Sequence, residues 1–370
     1  MLRVLTLSTL FPDRARPNFG VFVERQTLGL AAREGVDVAV AAGIGLPLWP
    51  LSLHPHYREL RALAQREDWR GLAVHRPRFR SRPQAGAARA LATRLLPLAR
   101  EFRPDVIDAE FFWPDGVAAL HLARALGLPF SIKARGSDII WWGRQPAIRR
   151  QMVEAAEAAG GLLAVSESLR REMIALGMPA EKIRVHYTGI DLDLFRPVER
   201  PRGRVIATLG NLVPVKGQRL AIEALRQVPG ATLLVIGDGP ERKALERAAD
   251  GRVRFLGAIP HRELPAILTQ ADVMVLPAER EGLANAWIEA LACGIPIIIP
   301  DVGGAREVID RPEAGRIVAR EPGAIAAAIR ELLDDPPPRQ AVRAAAERFS
   351  WDRNAAELEA HLRAVSGERH

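Results

Sequence analysis

The sequence predicts an α/β protein made of two doubly wound parallel sheets. Short apolar runs alternate with amphipathic stretches through both halves of the chain, which is the pattern of strands joined by crossover helices. A length of 370 residues with 48% hydrophobic content suits two cores of ordinary size. A polar, Pro-rich stretch near the middle, DLFRPVERPRGR, separates the two series and reads as an interdomain linker. The expected boundary falls near residue 194.

The elements follow in order. Residues 2–7 read as a strand, FPDRARPNFG as a loop, and Gly20 as the opening of a helix that ends near Arg33. Gly35 precedes the strand VDVAVAAG, completing a βαβ start whose first loop brings backbone to the domain cleft. Residues 44–70, with His54, His56, Tyr57 and two tryptophans, receive no assignment. Residues 86–102 form an amphipathic helix and DVIDAEFF a strand, and a helix over 117–126 leads to the strand PFSIKAR. After Gly136-Ser137-Asp138 and the Trp141-Trp142 pair come a helix over 146–159, the strand GLLAV, a helix capped by Ser166, and the strand KIRVHYT.

The second half restarts the alternation with RVIATLG, ATLLVIG and VRFLGAI as strands and helices near 218–227 and 261–270 between and after them. Its centre is DVMVLPAEREGLANAWIEALACGIPIIIP, residues 272–300. Val273 to Leu276 reads as a buried strand, the polar stretch from Glu279 to Gly282 as a loop, and Asn285 as a side-chain cap for a helix stopped by Gly294. A second apolar strand runs from Ile295 to Ile299, and GRIVA and helices near 322–334 and 351–365 close the chain.

No apolar stretch is long enough for a membrane span. The opening MLRVLTLSTL lacks a small-residue cleavage site and runs straight into Phe11-Pro12, so a first strand is expected rather than a signal peptide. The single cysteine, Cys293, excludes an internal disulfide framework and any Cys-based zinc site, and a cytoplasmic location is expected. The net charge of +8 is uneven: residues 1–195 carry 27 Lys+Arg against 20 Asp+Glu, and residues 196–370 carry 25 against 24. Arg76, Arg78, Arg80, Arg82, Arg89 and Arg94 concentrate the excess. An anionic membrane surface suits such a patch, and a compositional bias toward Arg explains it equally well. Nucleic acid is not an expected partner, because no reader motif accompanies it.

Glu281 and Glu289 share the central loop and the first turns of its helix. A helix N-terminus attracts phosphate, whereas carboxylates accept hydrogen bonds from neutral hydroxyls. A ligand with a phosphate middle and hydroxyl-rich ends satisfies both, and a sugar nucleotide is such a ligand. Taken alone, each acid is explained as well by a solvated surface charge. Lys216, one of only four lysines, stands in Asn211-Leu212-Val213-Pro214-Val215-Lys216-Gly217 at a helix start, where its ammonium could neutralise a diphosphate. Gly237-Asp238-Gly239-Pro240-Glu241 lacks the third glycine of a dinucleotide fingerprint, which argues against NAD.

These segments occur in a familiar order: PNFGVFVERQ, PDGVAA, GSD, VSESLRREMIALG, GIDLDLFRP, NLVPVKG, VIGDGPE, EGLANAWIEALACGIPII and DVGGAREVI. Together they make the chain resemble the retaining glycosyltransferases of the GT-B fold, family 4, and among them the teichuronic-acid and exopolysaccharide enzymes. The resemblance implies two Rossmann-like domains facing across a cleft. Residues 1–194 would take the acceptor, 195–350 the donor, and the closing helix 351–370 would pack back on the first domain. It implies that Glu281 contacts donor-sugar hydroxyls, Glu289 the ribose, and Lys216 the diphosphate. The backbone at Leu283, Ala284 and Asn285 would add N–H donors, with Gly20, Asn211 and Gly237 lining the donor site. Glu110, Trp113 and Asp138 are candidates on the acceptor side.

The implied reaction moves a sugar from a UDP- or GDP-linked donor to a saccharide or lipid-linked acceptor at the inner membrane face. It would proceed with retention, without metal or other cofactor. An epimerase of the same fold and a non-catalytic sugar-nucleotide binder are the alternatives. Three positions depart from the family pattern: Asn211 and Arg135 stand where Arg and His are usual, and Gly282-Leu283-Ala284 replaces Gly-Phe-Gly. Arg135 is thereby a candidate for the missing phosphate cation and joins Glu281 and Lys216 as a catalytic candidate.

Overall fold

The computed structural model describes residues 1–367 except Asn18 and Pro83. Asn18 of the PNFG segment and residues 368–370 of the expected closing helix therefore lie outside the described residues. The chain forms two compact units, one of residues 1–189 with 351–370 and one of residues 190–350.

Among the described residues of the first unit, ten strands follow chain order: β1 Leu2–Leu7, β2 Val36–Ala41, β3 Ile44–Leu46, β4 Arg66–Trp69, β5 Leu72–His75, β6 Arg78–Arg80, β7 Val106–Ala109, β8 Phe130–Ala134, β9 Gly161–Ala164 and β10 Ile183–Val185. Eight make one sheet in the order β10-β9-β8-β7-β1-β2-β5-β4, parallel except for the β4–β5 hairpin at its edge. The central strands β7, β8 and β9 are buried along their whole length, as strands of a parallel sheet covered on both faces are. Residues 44–82, largely unassigned from sequence, hold the hairpin, a separate β3–β6 ribbon and a helix over Pro55–Ala62. The helix Trp351–Ser366 packs in this unit: Leu358 and Leu362 join its core, and the His361 ring bonds Ser131 Oγ at 2.7 Å.

The second unit is a six-stranded, all-parallel sheet: β11 Val205–Leu209, β12 Thr232–Ile236, β13 Val253–Gly257, β14 Val273–Val275, β15 Ile297–Ile299 and β16 Gly315–Ile317. Its order is β13-β12-β11-β14-β15-β16. The stretch read as a linker is anchored here. Asp272 accepts from the backbone N–H of Gly203 at 3.0 Å and of Val205 at 2.9 Å, and pairs with Arg200 at 2.8 Å. Both units are α/β with doubly wound parallel sheets, the class the alternation predicts. No helix among the described residues is long and apolar enough to cross a membrane.

Candidate active site

The chain leaves β11 toward β12 on one side and leaves β14 toward β15 on the other. The point where the winding reverses therefore lies between β11 and β14, and ligands of such sheets bind beyond the carboxyl ends of the strands there. The loop after β11 ends at Gly217, and the loop after β14 begins at Leu276. They are tied together, with the Glu279 N–H donating to Val215 O at 2.7 Å. Gly217 has φ +71°, and a Cβ there would lie 2.3 Å from Pro277 O, so only glycine permits this approach. Across this seam the Lys216 ammonium bonds Glu281 Oε1, with the two side chains 25% and 11% exposed. The pair is reachable from solvent.

The helix Asn285–Ala292 starts immediately after. Asn285 is not its cap. Ala284 holds that position with extended backbone (φ −73°, ψ 122°), no side chain caps the helix, and Asn285 is already helical. The first N–H groups thus lack a capping side chain, as an anion-binding helix end requires. Leu283 and Ala284 are nearly buried. A third loop backs them: the Gly304 N–H donates to Gly282 O at 2.7 Å, and a Cβ on Gly303 would lie 2.1 Å from Glu281 O.

Glu289, one turn into this helix, is buried and accepts a bond from His261 Nε2 at 2.7 Å. His261 lies past β13, its ring 5.2 Å from that of Phe195. Sequence reasoning missed it; its one signal is a position beyond the carboxyl end of a strand. Asn211 is exposed, its carbonyl accepting from Gln218 Nε2 at 3.1 Å. The Gly237 N–H donates to Gly257 O at 2.8 Å and ties the turn after β12 to the end of β13. Arg320, also missed, reaches Pro277 O with its Nε at 2.8 Å. Glu281, Lys216, Leu283, Ala284 and Asn285 therefore surround one pair of loops, with Glu289 in the adjoining helix.

The first unit gathers a different set. Glu110 follows β7, is fully buried, and accepts from Gln26 Nε2 and from the Arg135 guanidinium. Lys133, buried on β8, donates to Gln26 Oε1 at 2.6 Å and to His186 Nδ1 at 2.8 Å; His186 Nε2 faces the Asn354 carbonyl at 2.9 Å, which makes Nδ1 the acceptor. Burial and the Arg135 charge hold the Lys133 amine well below its ordinary pKa. Burial and the Glu110 charge push Asp108 well above the carboxylate range. Burial would raise Glu110 too, but Arg135 and Lys133 bring it below.

Arg135, a candidate phosphate cation in the sequence reading, pairs with Glu110, with its side chain 10% exposed. Asp138 is buried and clamps a loop, accepting N–H bonds from Phe112 at 3.0 Å, Arg135 at 3.1 Å and Gly136 at 2.8 Å. Trp113 is buried, its ring 4.2 Å from that of Trp142, while Trp141 is exposed. Asp115 is buried beneath Thr9, accepting from its N–H at 2.8 Å and its Oγ1 at 3.0 Å, and burial raises its pKa to about 7. Gly20, at φ 72°, opens the helix Val21–Ala31. Arg76 leaves the predicted surface patch: it is buried, pairs with Glu67 at 2.5 Å and bonds Pro12 O at 2.7 Å.

Comparison with known proteins follows the same division. Residues 20–194 match the glycosyltransferase family 4 and residues 191–349 the glycosyl transferases group 1. The chain is 28% identical to a teichuronic acid biosynthesis glycosyltransferase of Bacillus subtilis, over 89% of this chain and 88% of that one. It is 31% identical to a glycogen synthase of Mycobacterium tuberculosis, over 100% of this chain and 96% of the other. It is 30% identical to a GDP-mannose-dependent mannosyltransferase of Mycolicibacterium smegmatis that acts on a phosphatidylinositol monomannoside, over 66% and 72%. Among solved structures, sucrose-phosphate synthase of Thermosynechococcus elongatus superposes with a TM-score of 0.81 at 18% identity, covering both chains fully. A protein of Anabaena in complex with UDP superposes with 0.76 at 20% identity, over 98% of this chain and 99% of that one.

Proposed function

The chain belongs to the glycosyl transferases group 1, of the GT-B fold, and on that premise we propose that it transfers a sugar from a nucleoside-diphosphate-sugar to a saccharide or lipid-linked acceptor with retention. The observation that carries the proposal is the Lys216–Glu281 pair beside the uncapped start of the Asn285–Ala292 helix. Cation and helix end favour the diphosphate, and Glu281 and Glu289 offer acceptors to the hydroxyls at either end of the donor. We place the donor on the second unit and the acceptor on the first. The names of relatives that use GDP-mannose or were solved with UDP support a nucleotide-linked donor.

In this reading the bond from anomeric carbon to diphosphate oxygen breaks as oxocarbenium character develops. Lys216 and the helix N–H groups take up the growing negative charge, so the step needs no metal ion. The acceptor hydroxyl forms the new bond on the face the diphosphate leaves, and its proton passes to the departing phosphate. Binding the donor requires Lys216 to exchange part of its contact with Glu281 for the diphosphate, which frees Glu281 for the sugar. Asp138 holds a loop of the first unit through backbone N–H bonds, and Glu110, Trp113 and Asp138 stay the acceptor-side candidates of this reading. The proton NMR spectrum of product made from UDP-glucose or GDP-mannose tests the stereochemistry: an anomeric coupling matching the donor supports retention, and an inverted one overturns it.

A further inference from the structure

The first unit carries a surface that the donor chemistry does not use. Leu48, Trp49, Leu51 and Leu53 are 48%, 77%, 61% and 52% exposed, so four large apolar side chains stand in water within six residues. A contiguous exposed apolar patch of this kind marks an interaction surface, because scattered single residues are the ordinary case. The segment is local: it follows β3, turns once at Leu51–Leu53, and enters the helix Pro55–Ala62.

What surrounds it is basic. β3 and β6 run parallel, with Leu46 opposite Arg80 and the Ser81 N–H donating to Leu46 O at 3.0 Å. Arg80 and Arg82, both exposed, therefore leave the ribbon where the apolar segment begins. At the other end, Arg58 and Arg61 are exposed on the helix. The Arg78 guanidinium bonds the carbonyls of Arg61, at 3.2 Å, and Leu63, holding that helix against β6. Both arginine pairs thus belong to one surface. Across residues 47–63 and 78–94, Glu59 is the single acid.

We propose that this surface docks on an anionic lipid bilayer, with Leu48, Trp49, Leu51 and Leu53 entering the interfacial layer and Arg58, Arg61, Arg80 and Arg82 meeting the headgroups. Tryptophan favours the membrane–water interface, and arginines beside it gain from anionic lipid. Charge complementarity selects this occupant over a second copy of the chain. A two-fold pairing would set the same arginines against each other, whereas a bilayer offers the opposite charge and an apolar layer together. The inference stands on the surface alone and does not depend on the transferase reading.

The test is co-sedimentation of the full chain at low salt with vesicles of phosphatidylcholine alone and of equal parts phosphatidylcholine and phosphatidylglycerol. The chain is expected to pellet with the mixed vesicles and to partition at least roughly tenfold less to the neutral ones. The Trp49→Ser/Leu51→Ser variant is expected to lose binding to both. Arg80→Glu/Arg82→Glu is expected to lose the preference for anionic vesicles. All four side chains are exposed, so an unchanged melting temperature verifies the fold of each variant. The proposal is overturned if the wild type stays in the supernatant with anionic vesicles, or if Trp49→Ser/Leu51→Ser pellets as well as wild type. It is equally overturned if the chain ignores vesicles but sediments as a dimer that this variant dissociates.

Discussion

Each unit places ionisable side chains at or past the carboxyl ends of its strands, and the two sets differ in what water can reach. In the first unit, Glu110, Lys133 and His186 are buried and Arg135 nearly so, each neutralised or hydrogen-bonded by the others. In the second, Lys216 and Glu281 lie on loops with 25% and 11% of their side chains exposed. A buried pair cannot exchange its partner for a ligand without stranding a charge, so the first set fixes conformation. A partly exposed pair can trade partners at little expense, so the second set is the one able to receive a donor. The difference separates a buried network from the loop pair we propose as the donor site, built of the same residue types.

This contrast gives a ranked set of expectations. Arg135→Ala strands the buried Glu110 carboxylate and is expected to lower unfolding free energy by about 3–5 kcal/mol. Any folded fraction should still be stabilised by the nucleotide; chemical denaturation with and without nucleotide measures both. Lys216→Ala is expected to do the reverse, lowering kcat/KM by roughly 10²–10³ with less than about 1 kcal/mol of stability lost. A Lys216→Ala variant that unfolds readily yet keeps its turnover would erase the distinction.

Asp115 sharpens the comparison through pH. Its folded pKa of about 7 lies above the ordinary 3.8, so between those values the folded state holds a proton that the unfolded chain has released. The associated stability is present below about pH 4 and is lost as pH rises to about 7, with a slope of about 1.4 kcal/mol per pH unit. Asp115→Asn keeps an acceptor for Thr9 and is expected to remove that slope from melting curves recorded across the window. The smallest expected effect belongs to His261→Ala, which leaves Glu289 in place but unheld. It is expected to weaken nucleoside diphosphate binding roughly tenfold, as read by calorimetry.

Much of the architecture was legible because parallel strands buried on both faces read as unbroken apolar runs; β9, β14 and β15 all show this. The 44–82 region was not legible. Its strands are only three or four residues long, and β4 and β6 are polar, so no long apolar run announces them. Lys216, Glu281 and Glu289 could be picked from sequence because each sits at a strand–loop–helix junction. The His261–Glu289 bond could not, since it joins residues from separate turns through tertiary packing alone. Burial of charge is not legible in the sequence: Arg76 reads as a surface arginine, but the acid that pairs with it, Glu67, comes from the neighbouring strand of the hairpin. Asn285 suits a cap by residue type alone, whereas the extended residue before the helix is Ala284.

The measurement that tests the central claim most directly is the melting temperature of the purified chain with UDP, GDP, ADP and NAD, without added metal, repeated on Glu289→Ala. A ligand that binds only the folded state raises it. A rise with one nucleoside diphosphate in the wild type, absent in Glu289→Ala, is the result predicted for a nucleotide-sugar site on the second unit. A rise with NAD alone, or one that survives in Glu289→Ala unchanged, would contradict it.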